Sequence, residues 1–196
     1  MVKRIIEGIL LIVIVVLIYL IYRSIETPIR FAKEKKVREQ VVIEKLKLIR
    51  SIQELHNKLH GRYISTWDSL IHFVKEGKVP LLKITARPGD TLLINPIIDT
   101  IGYVSVKDTI FKKNPNVNID KLPFIPFSDM NGAKPDTFIM KTSKIKKNEI
   151  MVSVIEVSAP YKTFLKGFDL KKFHVNEEAG LKFGSLTEPT VDGNWE

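Results

Sequence analysis

Two histidines four residues apart, His56 and His60, are the first side chains in this sequence whose type and spacing could do chemistry. On a helix that spacing puts both imidazoles on one face, where they can hold zinc or another transition metal. Further ligands would have to be His72 or a carboxylate, because the chain has no cysteine. The competing reading is structural, since imidazoles near a helix C-terminus interact well with its dipole. A second set, Ser128-Asp129-Met130-Asn131-Gly132 with Asp136 beyond it, offers oxygen ligands of the kind calcium takes. Its glycine stands at the fourth position from Asp129, whereas an EF-hand loop needs it at the sixth, and Asp, Asn and Gly are ordinary turn residues. No G-x-S-x-G elbow, P-loop or dinucleotide fingerprint occurs. The residues therefore read as a non-enzymatic protein. No catalytic, cofactor-binding or metal-binding residue is assigned.

The elements that would position these residues begin with an unbroken apolar run. Ile5 to Tyr22 carries one charge, Glu7, near its outer edge. As a helix it rises about 27 Å, close to the hydrocarbon thickness of a bilayer. A cleaved signal peptide would have a shorter apolar centre and small residues at its exit. Here the exit is Tyr22-Arg23-Ser24-Ile25-Glu26, so a retained anchor is expected. Lys3 and Arg4 stand close enough to pair with Glu7. Tyr19 and Tyr22 suit the headgroup level. Arg23, Arg30, Lys33, Lys35, Lys36 and Arg38 follow the run. Taken alone they would hold the rest of the chain in the cytoplasm, but large domains translocate largely regardless of charge.

Thirty-one Lys and Arg against 22 Asp and Glu leave a net charge of +9. Basic residues beside a span meet anionic headgroups. Nucleic acid is the other partner such a charge suggests, but there is no recognition motif and no aromatic stacking array, so none is expected.

The expected layout is a membrane anchor over 1–27, a stalk and long amphipathic helix over 28–62, and a short helix plus antiparallel sheet over 63–196. The last two form one α+β domain. Thr27-Pro28 reads as the start of a new helix, and Gly61 as its end. Val41, Leu48, Ile52, Leu55 and Leu59 form an apolar stripe at helical spacing, which Val42, Leu46 and Ile49 widen. The charged residues before Val41 read as a solvated stalk. Ser65 or Thr66 caps a second helix, whose buried side is Leu70, Ile71, Phe73 and Val74, and Gly77 stops it. Strands are expected at 81–85, 91–94, 103–111, 137–145 and 150–158, with the last two as a hairpin inside the sheet. One helical turn is expected at 161–166, then strand fragments and loop from Phe173 onward. The run Leu122-Pro123-Phe124-Ile125-Pro126-Phe127 is either a partner patch or a core segment.

Leu48-Ile49-Arg50-Ser51-Ile52-Gln53-Glu54-Leu55, His60-Gly61-Arg62-Tyr63, Trp67-Asp68-Ser69-Leu70 and Gly77-Lys78-Val79-Pro80 together resemble the late first helix and following loop of type IV pilins and type II secretion pseudopilins. The stretches Thr27-Pro28-Ile29-Arg30-Phe31, Gly61-Arg62-Tyr63 and Gly193-Asn194-Trp195-Glu196 resemble single-span membrane proteins of unassigned function from Bacteroidetes-type bacteria. The pilin resemblance implies an N-terminal helix continuing into an amphipathic helix laid on an antiparallel sheet. It also implies a place in the bacterial inner membrane with the soluble domain in the periplasm, and a structural role in a secretion, pilus-like or motility assembly. Other envelope proteins, and further copies of the chain, would be its partners. A processed pilin has glycine before its apolar helix and glutamate five residues later. Here Val13 stands five residues after Gly8, and Glu7 precedes it, so the resemblance is to an uncleaved member. The alternative role is a membrane-tethered ion- or small-ligand-binding module, with the Ser128–Asp136 loop as its site.

Overall fold

The computed structural model describes residues 2–85, 87, 96–113 and 117–196. The strand expected at 91–94 and the turn Pro88-Gly89-Asp90 lie outside the described residues. Among the described residues the chain is α+β: one long N-terminal helix, three short α-helices, three single-turn 3-10 helices and two antiparallel sheets.

Helix α1 runs without a break from Val2 to His60, 59 residues and roughly 88 Å. Pro28 lies inside it, so the new start expected at Thr27-Pro28 is not observed. Proline removes one N–H and leaves the Ser24 carbonyl without its helical donor, a loss tolerable at an exposed position. The Thr27 hydroxyl, expected to cap, instead donates back to the Arg23 carbonyl at 2.7 Å. The large apolar side chains from Ile6 to Tyr22 are 48–64% exposed, so no part of the domain covers them. This helix is long and apolar enough to cross a membrane. Among the described side chains Glu7 makes no ion pair. Gly61 ends α1 with φ 69°, its N–H bonded to the Asn57 carbonyl at 2.8 Å.

The second half of α1 is the spine of the domain. Val42, Leu46, Ile49 and Ile52 are fully buried, whereas Val41 is exposed and Leu48, Leu55 and Leu59 are half-buried. The buried face is thus centred on the residues read as widening the stripe. Gln53 lies in that face too. Its amide pairs both backbone groups of Ile64 at 2.9 Å, so a buried polar side chain is fully used. The segment before Val41 is not a solvated stalk throughout. Phe31 and Arg38 are buried, with the Phe31 ring stacked on Phe173 at 4.0 Å and edge-on to Phe168 at 5.3 Å.

Helix α2, Trp67–Glu76, buries Leu70 and Val74 against α1 and its neighbours, while Ile71 and Phe73 are half-covered. Gly77 stops it, though not in the left-handed conformation. Any side chain there would collide with the Phe73 carbonyl and with Val106. Strands β1, Lys78–Thr85, and β2, Ile97–Ser105, pair as a separate two-stranded ribbon. The strand expected over 103–111 ends at Ser105. There the Ser105 hydroxyl accepts from the Asp108 N–H at 2.9 Å and caps helix α3, Val106–Ile110.

The second sheet has the order β3-β4-β5: β3 is Ile139–Lys147, β4 Ile150–Pro160 and β5 Gly180–Gly184. Asn148 and Glu149, both at positive φ, make the two-residue turn that twists β3 onto β4. Central β4 buries Ile155, Val157 and Ala159 in the core with Leu181 and Phe183 of β5. The hairpin does not lie wholly inside the sheet. Strand β5 pairs only with residues 156–160, and the distal Ile150 and Met151 are exposed. Helix α4, Tyr161–Phe164, is the single turn expected there. The C-terminal segment folds back, with Asn194 bonded to Lys182 and Gly180, and Arg50 to the Val191 carbonyl and Glu196.

Candidate functional site

The two clusters with possible chemistry are built as structure. His56 and His60 do meet on one face of α1, their rings 4.5 Å apart. His72 and Glu76 line the same cleft from α2. The His56 Nδ1 lies 2.7 Å from the Arg62 carbonyl, which can only accept, so this nitrogen carries the proton. Burial lowers the His56 pKa, and Phe73 closes on the ring edge-on at 4.8 Å. His72 faces Glu76 at 3.5 Å, at an exposed position. Among the described residues no three His, Asp or Glu side chains lie close enough together to hold a metal ion.

The Ser128–Asp136 loop does hold a cation, and the cation is Lys166. Its ammonium donates to the Ser128 carbonyl at 2.6 Å and pairs with the Asp136 carboxylate at 2.8 Å. The fully buried Ser128 hydroxyl donates to the Ile125 carbonyl at 2.6 Å and accepts from the Asp136 N–H at 2.9 Å. The Ser128 and Asp136 oxygens therefore close the loop on itself. Asp129 is exposed.

The Leu122–Phe127 run is a pinned segment of the core. Leu122, Pro123 and Ile125 are buried, Pro126 and Phe127 are half-buried, and Phe124 is exposed. Lys45 of α1 fastens it by donating to the Lys121 and Phe124 carbonyls, both at 2.6 Å. Burial, and then the charge of Lys121, lower the Lys45 pKa to about 8. Phe127, at φ 64°, lies against the Arg38 guanidinium at 5.4 Å. Arg38 was hidden among the charges of the supposed stalk. It donates to the Phe164 and Lys166 carbonyls at 3.1 and 3.0 Å and to Glu34 at 3.1 Å. Tyr161, nearby, has its pKa pushed up to about 12 by burial and by the Glu39 carboxylate.

What remains uncovered is the β1–β2 ribbon. Its register puts Pro80 opposite Tyr103, Leu82 opposite Thr100 and Ile84 opposite Ile98 on one face. Leu82, Ile84, Ile98 and Tyr103 are all more than half exposed. The other face carries the cross-strand pair Lys83 and Asp99 together with Leu81 and Ile97, which are 45% and 44% exposed. A register irregularity between Leu81 and Leu82 leaves Ile101 as the extra residue of β2, 66% exposed. The ribbon thus carries exposed apolar residues on both faces, and the face of Leu82, Ile84, Ile98 and Tyr103 has nothing upon it among the described residues. Contiguous exposed apolar patches on folded domains are often interaction surfaces. Sequence reading missed it because β2 was placed six residues too late, a shift that hides the alternation.

Comparison with known proteins finds no family model, no characterised protein and no solved structure that matches this chain.

Proposed function

We propose that this protein is a single-span, non-enzymatic structural or interaction component of a bacterial envelope assembly of the secretion, pilus-like or motility kind, with its domain in the periplasm. The observation that carries this reading is the uncovered apolar face of the β1–β2 ribbon, on a domain where Ser128, Asp136 and His56 are engaged internally. The unbroken α1 adds a mechanical argument. One helix is both the apolar segment and the spine of the domain, so a load on the domain passes to the membrane without a flexible linker. The α+β layout, with a long N-terminal helix and antiparallel sheets, is consistent with the layout that the pilin resemblance implies. The tethered ion-binding alternative loses its site to Lys166.

A photo-crosslinking residue placed at Ile98 in intact cells tests the ribbon. A protein adduct of defined mass is expected from Ile98 and from Leu82, and none from Lys141 on the edge strand of the other sheet. Equal labelling from all three positions would remove the ribbon as the interaction surface. Orientation has its own test. Alkaline phosphatase fused after Glu196 should be active, and green fluorescent protein exported there by the general pathway should be dark. Bright fluorescence with inactive phosphatase would put the domain in the cytoplasm.

A further inference from the structure

A groove of about 600 Å³ lies between α1 and the segment after α4, at the junction of the apolar and polar halves of the helix. Its charged lining is Arg23, Glu26 and Arg30 from α1, and Asp169 and Lys172 from the facing segment. Arg23, Glu26 and Arg30 follow one another at spacings of three and four, so α1 presents all three on one face. Tyr19 and Tyr22 continue that face down to the apolar run, and Phe168 and Phe173 form the opposite wall. Among the described residues none of the five charged groups is within ion-pair distance of another charge. Asp169 also accepts from the Lys172 N–H at 3.2 Å, which fixes the turn. Three cations and two carboxylates therefore share one groove without neutralising each other.

We infer that this groove binds the headgroup of an aminophospholipid, a lipid carrying a phosphate and a primary ammonium such as phosphatidylethanolamine. The inference rests on the membrane-anchored reading above and names a lipid partner for it. Position is the first argument. From Tyr22 to Arg30 the helix rises about 12 Å, which carries it from the edge of the hydrocarbon through the headgroup layer. Charge complementarity is the second. Arg23, Arg30 and Lys172 supply charge-assisted donors to a phosphate. Glu26 and Asp169 would repel a purely anionic headgroup but accept from an ammonium. The third is the wall. Tyrosine rings suit the headgroup level, and Tyr19 and Tyr22 lead from the charged groups to the acyl chains. Bound there, one lipid would lock the base of the domain to its own helix.

Native mass spectrometry of the full-length protein, released from nanodiscs holding equal amounts of phosphatidylethanolamine and phosphatidylglycerol, tests this. One phosphatidylethanolamine per chain, recognised by its acyl-chain mass, should outlast phosphatidylglycerol by about tenfold in occupancy, the scale of one charge-assisted contact. R30Q together with K172Q should lower phosphatidylethanolamine occupancy by at least that factor. E26Q should bring the two lipids to near parity. All three residues are exposed, so the variants should fold, and K141Q, outside the groove, should change nothing. Equal retention of the two lipids by the unaltered protein, or unchanged retention by the R30Q/K172Q variant, would overturn the groove while leaving the anchor intact. Extraction of the unaltered protein from native membranes by alkaline carbonate would overturn both.

Discussion

Leu46→Ala should destabilise the domain by about 2–5 kcal/mol, the loss expected when a buried leucine is truncated and its site cannot collapse. Leu46 is fully buried on the helix face that meets the sheet and the Leu122–Ile125 segment. A domain of this size has about 5–15 kcal/mol in total, so this one change removes a large part of it. Urea unfolding of the fragment starting at Pro28, which keeps Phe31 and the whole core, measures the effect. Leu55→Ala should cost clearly less, because Leu55 is only half-buried. Lys47→Ala, on the exposed side, should stay within about 0.5 kcal/mol. If Leu55 proved as costly as Leu46, the buried face would be rotated toward the stripe read from Val41, Leu48, Ile52, Leu55 and Leu59.

Arg38→Leu should cost roughly 1.5–3 kcal/mol, the scale of hydrogen bonds to a charged group. The guanidinium holds two carbonyls at the end of α4 and packs on the rings of Phe127 and Phe168. Removing it strands those carbonyls and frees the segment that faces α1. Amide hydrogen exchange should therefore rise over 164–173 while β4 stays protected. Arg38→Lys should recover little of the loss. A lysine keeps the charge but cannot offer the planar fork that bonds two carbonyls and stacks on two rings. Full recovery by lysine would mean that charge alone, and not the fork, holds this corner.

Arg38 also marks where sequence reading runs out. Its neighbours on α1 are mostly charged, and a local window reads the stretch as solvated. The carbonyls it bonds lie 126 and 128 residues further along the chain. No periodicity or composition records a contact at that separation. Lys166 is similar. The Ser128–Asp136 loop looks like a set of open oxygen ligands until the chain returns and places an ammonium among them.

Elements governed by local forces were legible. The apolar run of eighteen residues must form a helix or leave its backbone unpaired in any apolar surrounding. Gly61 ends α1 because only glycine takes φ 69° there at no steric cost. The β3–β4 hairpin follows from two apolar runs joined by a short polar turn. Other features had two local solutions. Val41 to Leu59 is apolar over so wide an arc that its rotation on the sheet is undetermined until Leu122, Ile155 and Phe183 fill the opposite side. Tyr103–Phe111 alternates well enough for a strand, but Ser105 caps a helix once the ribbon ends beside α2. Composition by itself determined that an apolar helix leads into a basic α+β domain. Only the tertiary structure decided which apolar residues are covered, because burial depends on what the rest of the chain brings to a face. Leu46, between two lysines, and Leu82, beside Leu81, are the same residue type, and the one in the more charged setting is the one that is buried. One faces a sheet and the other faces nothing the described chain supplies.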